Sequence, residues 1–392
     1  MIIPSQGGGN DFGDLSLARS YPAGASNSTR GIMAGGSVNP TPATQTANIE
    51  FVTMSTSGVV SNFGELTLER TYMSGAGCQS TTRGIFAGGH PMNTNLIDFV
   101  LFSAGGTATD FGDLTLARSG ISAGSNTTRG IFAGGSTPSP NIGHNVIDYV
   151  TLATEGNATD FGDATINVSQ SQGCASRTRG FSAGSWQSAS GPVTDTIQFI
   201  TIPSTGNGTD FGNLTNSTRL CGLLSNATRA IRVSGANPST NIMDFWTMAS
   251  SGDAVDFVDV TTSDSHWSTC VSSPTRGVWI NGNESNDTME FITIATQGNS
   301  QDFGDTPTND GQQPHAGGNS IRGVWMGGSN SGALSSIKFV TIATKGNAVD
   351  FGDTTITRRY NPSGPSDQVR MLATGGGSSD SGVNTIDMIS IS

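Results

Sequence analysis

Thr128-Arg129-Gly130-Ile131-Phe132-Ala133-Gly134-Gly135 leads through a loop to Ile147-Asp148-Tyr149-Val150-Thr151 and then to Asp160-Phe161-Gly162-Asp163. Short apolar runs rich in β-branched and aromatic residues alternate here with glycine and polar turn residues, which is the pattern of short strands. The same blocks return along all 392 residues. Asp-Phe-Gly-Asp or a near variant starts at Asp11, Asn62, Asp110, Asp160, Asp210, Asp256, Asp302 and Asp350, at spacings of 51, 48, 50, 50, 46, 46 and 48. A second marker, usually Thr-Arg-Gly, keeps the same phase at Arg30, Arg83, Arg129, Arg179, Arg229, Arg276, Arg322 and Arg370. The Ile-Asp-Phe-Val-Thr run is centred on Phe51, Phe99, Tyr149, Phe199, Phe245, Phe291, Phe339 and Met388. Three markers held in phase are the signature of a repeat architecture.

In the third copy, 120–124, 129–134 and 146–153 read as three strands, and 110–118 as the strand ending the copy before it. A sheet of four short strands cannot bury both faces alone. Neighbouring sheets must stack, and a closed ring leaves no exposed ends. The last copy supplies three strands, and the chain begins with a fourth-strand block at 11–19. The expectation is an all-β, eight-bladed β-propeller with four antiparallel strands per blade, its last blade closed by the N-terminal strand. It is a single domain over 1–392: a lead at 1–10, the outer strand of the closing blade at 11–19, seven blades over 20–358, and three strands of the closing blade over 359–392.

Glycine, at 54 residues, is about twice as common as the roughly 7% average. The recurring apolar runs separate this chain from a disordered one of similar composition. A net charge of -12 argues against a nucleic-acid partner, because phosphate binding rests on Lys and Arg. No stretch approaches the ~20 apolar residues that span a bilayer, so no membrane insertion is expected. The start lacks a basic region followed by an apolar one, so no signal peptide is expected. Cys78, Cys174, Cys221 and Cys270 show no CxxC spacing and read as buried thiols in packed strands.

The residues resemble the kelch repeat. A Gly-Gly pair ends the second strand (Gly35-Gly36, Gly88-Gly89, Gly134-Gly135, Gly327-Gly328, Gly375-Gly376), an aromatic sits in the third, and another opens the fourth. Phe replaces the Trp usual in the kelch fourth strand, and Gly184-Ser185, Ser234-Gly235 and Asn281-Gly282 keep one glycine of the pair. The stretch from Thr128 to Asp163, ending in Gly156-Asn157-Ala158-Thr159-Asp160-Phe161-Gly162-Asp163, is also similar to tandem repeats in tail-fibre and other structural virion proteins of marine and cyanobacterial tailed phages. Ala164 stands where that pattern has Leu.

Few residues suggest chemistry. A motif present eight times is architecture, so Phe12, Phe63, Phe111, Phe161, Phe211, Phe257, Phe303 and Phe351 read as packing and not as a kinase magnesium motif. Asp110 and Asp113, with Asn157, Asp160 and Asp163, could offer oxygens to calcium, but capped turns are the expected use. The eight marker arginines are expected to bond carbonyls or carboxylates within or between blades and not to ring an anion site. His90, His144, His266 and His315 do not recur in register, and no Ser/His/Asp or copper-binding set accompanies them. The chain is therefore expected to be no enzyme, and no cofactor is expected.

Variation concentrates in the loops after the second strand, at 37–47, 90–95, 136–145, 186–194, 236–241, 283–287, 329–335 and 377–384. In an up-and-down blade these emerge on one face, where variable loops on a fixed scaffold make binding sites. Pro40, Pro42, His90, Pro91, Met92, Pro138, His144, Trp186 and Pro192 are the candidate contact residues. The resemblance implies a non-enzymatic virion structural protein, made in the host cytoplasm. As a tail-fibre or appendage module it would bind a host-surface glycan or protein through this face and contact other virion proteins. The alternative is a capsid or tail decoration protein contacting only virion proteins, and less so a carbohydrate-active enzyme. A homo-oligomer in the virion would use blade surfaces or the lead at 1–10.

Overall fold

A computed structural model describes residues 10–38, 44–53, 60–73, 78–90, 94–138, 141–168, 172–176, 178–186, 192–219, 221–236, 238–261, 268–280, 287–307, 314–330, 332–358, 370–374, 377–378, 381–382 and 385–391. The chain is an all-β propeller built on a four-stranded antiparallel blade. Blade 1 orders its strands as Ala23–Ser26, Arg30–Ala34, Asn48–Thr53 and Ser61–Glu65. Blade 2 shows Arg83–Ala87, Leu96–Leu101 and Thr109–Asp113. Blades 3 and 4 start at Ser122–Ser125 and Gln172–Ala175, and blades 5, 6 and 7 at Gly222–Ser225, Thr269–Ser272 and His315–Gly318.

Seven blades are made of contiguous chain, where the repeat count predicts eight. The reason is that the eighth repeat is split between distant parts of the chain. Arg370–Thr374 pairs with Thr385–Ser390, which pairs in turn with Asn10–Asp14. This composite sheet is packed on both sides. Met371, Ala373, Ile389 and Ile391 join Val324, Met326 and Ile337 of blade 7, while Leu372, Ile386 and Leu15 join Met33 and Val52 of blade 1. The ring is thereby closed.

Each Asp-Phe-Gly-Asp block forms a β-bulge against the third strand, with register shifts such as Ile97/Asp98, Ile147/Asp148 and Ile197/Gln198. The bulge favours glycine at its third residue, although Val258 holds that place at φ 109° in one copy. Gly112 has φ 140°, and a Cβ there would stand 2.5 Å from the carbonyl of Gly156 in the next blade. The bulge is also a dock, because Gly156 N–H donates to Phe111 O at 2.7 Å and Asp113 N–H donates to Asn157 Oδ1 at 3.1 Å. The same glycine N–H bond fastens blades 2, 3, 4, 5 and 7 to the blade before, from Gly106, Gly156, Gly206, Gly252 and Gly346.

Some boundaries differ from the sequence reading. The fourth strand of blade 2 ends at Asp113 and not at residue 118, and beyond it Arg118 turns inward to a buried carboxylate. The first strand of the chain likewise ends at Asp14, and Arg19–Ser20 pairs separately with Ser37–Val38. The expected loop at 136–145 is largely a hairpin, in which Ser136–Pro138 pairs with the start of Asn141–Thr151. All four cysteines are free.

Candidate functional site

The links between blades lie beside the loops that follow the second strands. Arg19–Ser20 pairs with Ser37–Val38, Thr71 bridges His90, Ser119 bridges Ser136, and Arg219 bridges Ala236. Link and loop therefore share one face of the ring, and the most exposed aromatic side chains among the described residues stand there. Tyr21 and Tyr72, 50% and 45% exposed, follow Ser20 and Thr71 directly. Their ring centroids are 4.6 Å apart with 31° between planes. Thr71 Oγ1 donates to Tyr21 O at 3.3 Å, tying the two links together. Burial beside Tyr21 pushes the Tyr72 phenol up to about 12, so it stays neutral at physiological pH.

Both tyrosines hold φ 53°, where a bulky residue is strained. Gly120 takes the same repeat position with φ 62°. Keeping tyrosine where glycine fits costs on the order of 1 kcal/mol, and such strain clusters at functional sites. Tyr360 shares this repeat position, so three of the chain's four tyrosines follow consecutive seams, although Tyr360 lies outside the described residues. The sequence reading missed this pattern. The signal was available, since tyrosine is otherwise confined to Tyr149.

A second set of residues went unread. Arg19, Arg70, Arg118 and Arg358 close the fourth-strand segments, are fully buried, and reach into the following sheet. Arg19 meets Glu50 at 2.6 Å, Arg70 meets Asp98 at 2.6 Å, Arg118 meets Asp148 at 2.8 Å, and Arg358 pairs with Asp387. Each also bonds backbone carbonyls, as Arg118 does with Gly134 O and Phe132 O. The carbonyl of Arg118 in turn accepts from Gly89 of blade 2 at 3.0 Å, so one residue grips two blades. Burial pushes these four guanidinium groups below their usual range, and the carboxylates pull them back up.

The expected contact residues are scattered. Pro40, Pro42, Pro91 and Met92 lie outside the described residues, as do the side chains of Phe12, Pro138, Trp186 and Arg370. Pro192 is exposed and His90 is half-buried at its bridge to Thr71. His144, expected in a loop, sits in the strand Asn141–Thr151 and is half-buried, because the hairpin extends past it. The marker arginines Arg30, Arg83, Arg129, Arg179, Arg229, Arg276 and Arg322 each lie over the third-strand aromatic of their own blade, 4.5 to 5.0 Å from its centroid. Most of them also donate to a carbonyl of the next blade, as Arg179 does to Met248 O at 2.8 Å. Those aromatics meet Phe63, Phe111, Phe161, Phe211, Phe257, Phe303 and Phe351 edge to face. Asp110 Oδ1 accepts from Gly112 N–H at 2.8 Å, a turn within the bulge. Among the described residues, no three His, Cys, Asp or Glu side chains gather as a metal site.

Fold and ring geometry define the class, a closed β-propeller. The solved structure of the computationally designed Ika8 protein is similar to it, with a TM-score of 0.65 at 13% identity over 98% of this chain and 100% of that one. At that identity the likeness is one of fold. No family model matches the chain. No curated protein matches it either.

Proposed function

We propose that this propeller is a non-enzymatic, kelch-like virion protein of a tailed phage, a tail-fibre or appendage module whose link-and-loop face binds a host-surface glycan. The observation that carries the binding reading is the exposed, strained Tyr21–Tyr72 pair beside the loop at His90. Aromatic rings offer an apolar platform to the C–H face of a sugar, while their hydroxyls and the Ser/Thr/Asn-rich loops serve its polar rim. The virion reading is supported by the likeness of residues 128–163 to phage structural repeats. In this reading the composite sheet counts as an eighth blade, a view supported by its packing against blades 7 and 1.

Two measurements test the proposal separately. Mass spectrometry of purified virions is expected to find the protein, and its absence overturns the virion reading. Glycan-array binding by the isolated protein is expected to fall at least tenfold in a Tyr21→Gly, Tyr72→Gly double variant. Because glycine suits φ 53°, the fold should change by less than about 1 kcal/mol. Undiminished binding by that variant overturns the face. Virion association without any glycan binding would instead establish a decoration protein.

A further inference from the structure

Every propeller seam must be filled, and here the repeats act as controls for one another. At the second-strand position facing the preceding blade stand Met33, Phe86, Phe132, Trp279 and Trp325, all buried. Where Arg232 or Ala373 takes that position, Trp246 or Met371 fills the seam instead. Blade 4 carries Ser182 there and has no such substitute among the described residues.

Two more truncations fall on the same seam. At the place facing the next blade, blades 1, 5 and 6 send Ala25, Leu224 and Val271 across from their first strands, and Cys78 stands at the equivalent place in blade 2. A Cβ on the facing glycine would meet them at 2.8, 2.6, 2.5 and 2.5 Å respectively. Blade 3 has Gly124 at that place, whose Cβ would meet nothing within 4 Å, and the facing Gly180 would touch only Ile200 of its own blade, at 3.5 Å. Ala164 replaces the leucine present as Leu66, Leu114 and Leu214. Together these leave a cavity of about 690 Å³ between blades 3 and 4, with Ala133, Gln198 and Ile200 among its walls. The size suits a small-molecule site, and the walls are mostly apolar. Ser122, Gly124 and Gly173 at its edge are exposed, which leaves the cavity open along the first strands.

The other seams show what such a space accepts. In seam 6–7 the indole of Trp325 fills it, and its Nε1–H donates to Thr269 O at 3.2 Å. Thr269 opposes Ile280 as Ser122 opposes Ala133, so the Ser122 carbonyl holds the corresponding place in seam 3–4. We propose that the cavity between blades 3 and 4 is a binding site for a planar aromatic small molecule bearing a ring N–H, of the indole class, which takes the place that a tryptophan takes elsewhere in the ring. The site stands whether or not the link-and-loop face binds a glycan.

Indole itself is the probe. Saturation-transfer NMR on the full chain is expected to show indole bound, and methyl-labelled isoleucine spectra should shift at Ile131, Ile147, Ile200 and Ile202, which line the cavity. Ser182→Phe and Gly124→Leu, each filling the space from one side, should cut the affinity at least tenfold while circular dichroism and melting behaviour are kept. N-methylindole should bind several-fold more weakly. Absence of transfer up to the solubility of indole overturns the proposal, as do shifts confined to other isoleucines or affinity untouched by a folded filling variant. Should a variant not fold, the isoleucine map of the unmodified chain decides alone.

Discussion

The seams between blades 2 and 3 and between blades 3 and 4 are consecutive in chain and space, share the same bulges and docking segments, and yet are built differently. In the first, Arg118 and Asp148 form a fully buried ion pair, Phe132 fills the middle, and Cys78 and Leu114 complete the contact. In the second, Val168 and Gln198 stand at the ion-pair positions, Ser182 replaces the aromatic, and Ala164 and Gly124 are small. Gln198 Oε1 accepts from Thr165 N–H at 2.7 Å and from its Oγ1 at 2.8 Å, so the neutral version keeps the bonds across the seam that Asp148 makes to Thr115, but it carries no charge and holds no arginine. The difference teaches that the repeat fixes the backbone while a handful of side chains decides whether a seam is shut. Blade 5 reinforces the point. There Thr218 holds the latch position, and the arginine has moved to Arg232 on the second strand, still paired with Asp244.

The largest expected effect breaks the charged seam. Arg118→Ala leaves Asp148 buried without its countercharge and should cost about 3–5 kcal/mol. Gln198→Ala in the neutral seam removes hydrogen bonds only and should cost about 1 kcal/mol. Urea unfolding of the two variants measures both, and equal costs would show that the arginines are not latches.

Acid tests the arginine latches by a second route. His144 faces Arg118 and His315 faces Arg358, and in each case burial first and the arginine second push the imidazole down, for His315 to about 4. Between pH 6.5 and 4 the unfolded chain therefore binds a proton at residue 315 that the folded chain does not. The stabilisation this group brings is complete above pH 6.5 and is lost as the pH falls toward 4. The loss is at most about 3 kcal/mol, less what solvent screening removes. His315→Gln should flatten the acid limb of a melting-temperature profile, and an unchanged limb would place the acid sensitivity elsewhere.

Much of the fold was legible because the chain carries its own alignment. Arg-Gly, the third-strand aromatic and Asp-Phe-Gly-Asp mark one stacked unit per blade, as the Arg129, Tyr149 and Phe161 stack shows. The latch was harder to read. Its arginine survives in four copies only, at Arg19, Arg70, Arg118 and Arg358, while its acid lies inside the apolar run that marks the third strand. An acid between apolar neighbours on a strand reads as solvent-facing by alternation, whereas Thr115 and Arg118 at the end of the preceding blade bond Asp148. One copy reverses the charges, with Lys338 at the acid position and Asp310 at the latch position, while another keeps Glu290 opposite Asp264. The seam cavity was visible only as an absence. Ala164 stood out against the leucine pattern, but Gly124 and Ser182 become informative only once the blades are placed side by side.

The smallest effect sharpens the comparison without breaking anything. Ala164→Leu restores the residue found at Leu114 and Leu214, on the wall of a cavity with room for it. Burying the added carbons at about 0.8 kcal/mol per methylene, less the entropy of fixing the new side chain, should stabilise the fold by about 1 kcal/mol. The same change against a close-packed seam would overpack it and cost about 1–3 kcal/mol. The sign of the shift in urea midpoint therefore reports directly whether blades 3 and 4 enclose open space. Competition with indole then asks whether that space is the one the ligand needs, since a leucine at residue 164 should weaken its binding while making the ring harder to unfold.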